Sequence, residues 1–160
     1  MATSNTPAPE TPEAERARAR SELAALGFAG PDIYLAELIP AAEMAWADGA
    51  VHPNERALLE AYADELVERL NRQARAPVFS ARRARALLDR LLARRLLPHQ
   101  RQAALRALKA RAGTGPQGAA LKRRMVEWAE AVAAVAGHPV WDSRELFWLQ
   151  AMSRTLEIEH

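Results

Sequence analysis

An all-α fold, a bundle of about seven helices, is what this sequence predicts, and three observations predict it. The composition leans on Leu, Ala, Arg and Glu, residues that favour helix, while Val and Ile are few. No run alternates apolar and polar residues for long enough to form a strand. Prolines and an N-capping serine recur just ahead of segments whose apolar residues return at helical spacing. With 160 residues the chain fits one domain with a real core, although much of its 49% hydrophobic content is alanine.

Residues 1–12 hold three prolines with Ser, Thr and Asn, and predict a disordered tail ahead of a helical domain over 13–160. A first helix is expected over about 13–26, stopping at Gly27. The second opens at Pro31 and runs to about Asp48; its residues are apolar nearly all round, which marks it as central, and Pro40 should kink or split it. The third starts at Pro53, with Leu58, Leu59, Tyr62, Leu66 and Leu70 as its core stripe. Ser80 caps a fourth helix running to about Arg95, with Leu87, Leu88, Leu91 and Leu92 on its apolar side. Pro98 starts a fifth, ending near Gly113. A Gly/Pro loop then leads into a sixth over about 117–136 and a seventh over about 142–157. Trp46, Trp128, Phe147 and Trp148 fall at apolar helix positions, where packing is the expected role. Trp141 is expected to plug the turn before the last helix.

A shift of 90 residues superposes Glu55 on Glu145, Leu59 on Leu149 and Leu66 on Leu156. The same shift brings Asp48 onto His138, Gly49 onto Pro139, Val51 onto Trp141 and His52 onto Asp142. Apolar positions persist while the turn chemistry changes, which predicts two helical hairpins packed with pseudo-twofold symmetry. Ala-Asp-Gly at 47–49, an apolar residue, the Pro53-Asn54-Glu55 helix start and a second such turn near a Leu-rich C-terminus resemble the TerB-like superfamily. That superfamily includes tellurite-resistance proteins and the N-terminal domains of DjlA-type co-chaperones. The resemblance covers roughly residues 31–158 and implies a non-enzymatic bacterial helical module of stress and metalloid-resistance systems, working with other proteins of a stress or chaperone system. It also implies acidic turn residues that hold a divalent metal. Asp48 and Glu55 would be the ligands, with Asp142 and Glu145 as their counterparts. Where the family pattern has acid-glycine in the second turn, this chain has His138-Pro139, so that half of the site departs from the family.

Each of these residues also has a purely structural account. Pro53 at the first helical position and Glu55 at the third give capping-box spacing, in which the glutamate reaches back to a backbone N–H; Asp142-Ser143-Arg144-Glu145 repeats it. Asp48 sits where a helix ends, a place its dipole makes unfavourable for a carboxylate, so its structural account is the weaker. It would then pair with an arginine such as Arg56 or bond into its own turn. Oxygen ligands favour Ca²⁺ or Mg²⁺ over Zn²⁺, but two carboxylates make a poor cage, and the EF-hand spacing is absent.

Composition excludes several classes. The chain has no cysteine, hence no disulfide and no thiolate chemistry. It has no HExxH, phosphate-binding glycine loop or GxSxG, so no nucleophile–base pair marks an enzyme, and no cofactor is implied beyond the metal. No N-terminal apolar segment and no run of about 18 apolar residues is present, which predicts a cytoplasmic protein. The net charge of +2 conceals a segregation: residues 1–69 carry 13 acids and 5 bases, residues 70–124 carry 15 bases and one acid, and residues 125–160 carry 6 acids and 2 bases. The basic middle offers a second reading, an adaptor that holds an acidic protein, nucleic acid or lipid surface through Arg82, Arg83, Arg94, Arg95, Arg123 and Arg124. Phe79 is the only aromatic residue between 70 and 124, which argues against base stacking. Solvated ion pairs with the acidic helices are the competing account.

Overall fold

The computed structural model describes residues 8–135 and 143–156, with side chains in the last stretch from Phe147 onward. Among the described residues it is all-helical, with seven α-helices and one 3-10 segment: α1 (Pro12–Ala25), the 3-10 helix (Gly30–Leu38), α2 (Ile39–Ala45), α3 (Pro53–Ala74), α4 (Ala81–Ala93), α5 (Pro98–Ala112), α6 (Pro116–Val135) and α7 (Ser143–Leu156). Proline opens α1, the 3-10 helix, α3, α5 and α6, in the first turn where its missing N–H costs nothing. Ser80 caps α4 as expected, its Oγ accepting from Arg83 N at 3.0 Å. Helix α1 starts one residue earlier than expected, inside the 1–12 segment, and Arg18 pairs with Glu10 ahead of it.

The expected second helix is corrected. It is two elements, and it ends at Ala45 rather than near Asp48. Pro40 explains the split. In an α-helix the Ala36 carbonyl would accept from residue 40, which here has no N–H and a ring that would crowd that carbonyl. The chain tightens into 3-10 geometry ahead of the proline, and Ile39 N–H bonds to Ala36 O instead. The α-helix then restarts with Pro40 in its first turn.

All seven residues of α2 are buried, which places it at the centre. It lies on α6 and touches α3, α4, α5 and α7. The hairpins α2–α3 and α6–α7 contact each other reciprocally: α2 on α6, α2 on α7 and α3 on α6. Leu59, Leu66, Leu149 and Leu156, the residues matched by the 90-residue shift, are all buried. Helix α1 closes the bundle against α5, and α4 packs on α3. Leu35, Leu38, Ile39, Met44, Tyr62, Leu88 and Leu105 fill the middle. Trp148 is buried, and its indole donates to the Pro40 carbonyl at 3.3 Å. Phe147 departs from its expected core role: it is 72% exposed.

Two joints hold the ends of helices in place. Asn71 exchanges both amide hydrogen bonds with the Phe79 backbone, at 2.9 and 2.8 Å, and so pins the α3–α4 loop. Gly118 lets the start of α6 press on the end of α5; a Cβ there would stand 2.1 Å from the Ala112 carbonyl oxygen. No single helix among the described residues is long and apolar enough to cross a membrane.

Candidate functional site

The turn between α2 and α3 carries the first predicted pair. Asp48 lies in this turn, three residues past the helix end, so the helix dipole bears on it less than the sequence suggests. Its Oδ1 accepts from Ala50 N at 3.1 Å and its Oδ2 sits 2.9 Å from His52 Nε2. The partner is therefore His52 and not Arg56, whose guanidinium bonds to Asp89 at 3.1 Å. The hydrogen bond and charge of Asp48, with a smaller contribution from Glu55, raise the His52 pKa. Glu55 is buried, and its Oε1 accepts from His52 N at 2.9 Å, the capping role its spacing allowed. Among the described residues no three His, Asp or Glu side chains converge to hold a metal ion. Asp142, His138, Pro139 and Trp141 lie outside the described residues; Glu145 falls in the first turn of α7, but its side chain lies outside them as well.

The arginine set divides. Arg83 is tied to Asp32 through Nε and Nη2 at 3.0 and 2.7 Å, and Arg85 grips Asp64 at 3.1 and 2.6 Å, which lowers the Asp64 pKa. Arg124 turns inward, with Nε 3.6 Å from Glu37. Arg83 and Arg124 therefore each already face a carboxylate of the 3-10 helix, Asp32 and Glu37. Arg82, Arg94, Arg95 and Arg123 are exposed. Arg94 and Arg95 join Arg90 in lining a cleft of about 400 Å³ at the C-terminal end of α4, against Leu26 and Phe28, with no acidic side chain in its wall.

Two further groups are buried carboxylates that sequence reasoning passed over. Glu37 is 6% exposed, and Tyr62 donates to its Oε2 at 2.6 Å while Arg69 Nη2 donates to the same oxygen at 3.1 Å. Tyr62 itself stacks on Trp128, with ring centroids 4.3 Å apart. Burial first, and then the charge of Glu37, push the Tyr62 hydroxyl well above its usual pKa. Glu43 is 1% exposed; Leu96 N donates to its Oε1 at 3.3 Å, while Arg101 stands 3.8 Å from its Oε2, too far for a hydrogen bond. Arg101 also lies over the Trp148 ring at 5.6 Å. The signal for both acids was present, since Glu37 and Glu43 interrupt a segment that is otherwise apolar on every side.

No protein-family model, curated protein or solved structure matches this chain.

Proposed function

We propose that this chain is a non-enzymatic helical interaction module that holds an acidic polypeptide at the corner where α4 ends. One observation carries the reading: Arg90, Arg94 and Arg95 line a single cleft of about 400 Å³ without a carboxylate among them. A cation at a helix C-terminus offsets the dipole by roughly 0.3–1 kcal/mol, and one arginine would be enough for that. Three on one cleft with no acidic side chain in its wall leave a local surplus of positive charge, which an anionic partner offsets. The cleft has no exposed aromatic side chain, which favours an acidic peptide over stacked bases. Fluorescence anisotropy with a labelled poly-glutamate peptide tests this. Binding is expected at low ionic strength, weakening as salt rises, and about tenfold weaker in Arg94→Gln/Arg95→Gln. No binding at low salt, equal binding by the double variant, or stronger binding to duplex DNA of equal charge would sink it.

A second reading, the TerB-like metal-associated module of stress and tellurite resistance, is favoured by Asp48, His52 and Glu55 sharing one turn. These are residue types that hold divalent ions. Both Asp48 oxygens and one Glu55 oxygen already accept bonds within the turn, so an ion there must displace His52 or the backbone cap. Calorimetry and thermal melts with Ca²⁺, Mg²⁺, Mn²⁺ and Zn²⁺ decide it. This reading requires a metal-dependent rise in melting temperature that Asp48→Ala abolishes.

A further inference from the structure

We propose that the cleft between the 3-10 helix, α3, α5 and α6 is a binding site for a small dianion, a ligand bearing a phosphate monoester or two carboxylates. It is a different place from the α4 corner and rests on different residues. The cleft measures about 620 Å³, a size that suits a small molecule, and Glu37, Arg69, Arg111 and Arg124 all line it. Three guanidiniums therefore meet one carboxylate, a surplus of two positive charges.

The arginines are also short of acceptors. A guanidinium carries five N–H donors. Arg69 uses one, to Glu37 Oε2 at 3.1 Å. Arg124 approaches the same oxygen only to 3.6 Å, beyond hydrogen-bond range. Arg111 spends its flat face on Tyr34, 4.7 Å from the ring centroid. The Nε atoms of Arg69 and Arg124 are both buried without a hydrogen-bond partner. A network built only for stability would balance its charges and meet its donors. This one does neither, and its three arginines line a cleft.

Two features of the fold prepare the site. Glu37 is held from below by Tyr62, and Tyr62 by its stack on Trp128, so the floor that positions Arg69 and Arg124 is fixed before any ligand arrives. The first turn of the 20-residue helix α6 forms one wall through Gln117 and Gly118, and it holds no acidic residue. Its positive dipole end adds to the arginine field. Glu37 sets the charge balance: one carboxyl group against three guanidiniums leaves a surplus that matches a dianion better than a monoanion such as acetate.

Isothermal titration at constant ionic strength tests the proposal, using methyl phosphate, succinate, acetate and chloride as probes. Methyl phosphate or succinate is expected to bind at least about tenfold more tightly than acetate or chloride, and the stronger of the two names the ligand source. Arg111 lies outside the buried ion pair, so Arg111→Gln keeps the fold and should weaken binding about tenfold; Arg124→Gln should do the same. Arg106→Gln, on the exposed side of α5, should leave affinity unchanged. Equal response to all four anions, or undiminished binding in both Arg111→Gln and Arg124→Gln, would overturn the assignment. If Arg124→Gln fails to fold, Arg111→Gln alone decides.

Discussion

Glu37→Gln is expected to destabilise the protein by about 3 kcal/mol in urea unfolding near neutral pH. Removing one member of a buried ion pair strands the other, and such losses run to about 3–5 kcal/mol. Here the stranded charges are Arg69 and Arg124, whose side chains keep 17% and 30% of their surface in water, which argues for the low end of that range. The amide of glutamine still accepts from Tyr62, so the loss isolates charge from hydrogen bonding. Tyr62→Phe isolates the other half: it removes one hydrogen bond to a charged group, worth about 1.5–3 kcal/mol, while leaving the stack on Trp128 in place. Combining Glu37→Met with Arg69→Met should recover only part of the loss, because two of the three charges leave together while Arg124 and the Tyr62 hydroxyl lose their acceptor. A Glu37→Gln variant within about 0.5 kcal/mol of wild type would mean that water already neutralises the network.

The parts of this fold that local chemistry governs were legible in the chain. Pro53, Ser80 and Pro98 mark helix starts because a missing N–H or a capping oxygen acts within three residues. Glu55 is fixed by the same short reach, and its capping role follows from spacing alone. The 3-10 segment was not legible. Pro40 announces a conflict with the Ala36 carbonyl but does not say whether the chain will bend, break or tighten, and burial of every residue around it selects the tightening. Asp48 differs for a related reason, and only in its place: ending α2 at Ala45 moves it away from the helix terminus, while its bonds to Ala50 N and His52 keep it in its own turn, one of the two roles its residue type offered. Long-range pairing lay furthest from view. Arg85–Asp64 and Arg83–Asp32 are partners 21 and 51 residues apart, and only the packed bundle shows which arginines are spent. The remaining exposed set is smaller than the charge segregation suggests, and three of its members, Arg90, Arg94 and Arg95, share one corner.

Glu43→Gln is expected to act in the opposite direction to Glu37→Gln, and only above acid pH. Burial pushes the Glu43 carboxyl up from 4.5 to about 7, against the downward pull of the Leu96 N–H and the charges of Arg101 and Arg95. The folded pKa therefore lies above the unfolded one. Stability from this group is fully present below about pH 4.5 and is lost as pH rises toward about 7, where the folded protein at last gives up its proton. Each unit of difference corresponds to about 1.4 kcal/mol, so the loss approaches ~3 kcal/mol at pH 8. Glutamine imitates the protonated acid and still accepts from Leu96 N. The variant should match wild type near pH 4 and exceed it by ~3 kcal/mol near pH 8, as read from paired urea titrations across that range. A difference that stays constant with pH would mean that Arg101, 3.8 Å away, already keeps the carboxylate charged when folded. Arg95 connects this titration to the α4 corner. It lines the corner cleft and also feels the charge of Glu43, so protonation of Glu43 leaves Arg95 less opposed and the corner more attractive to an acidic partner.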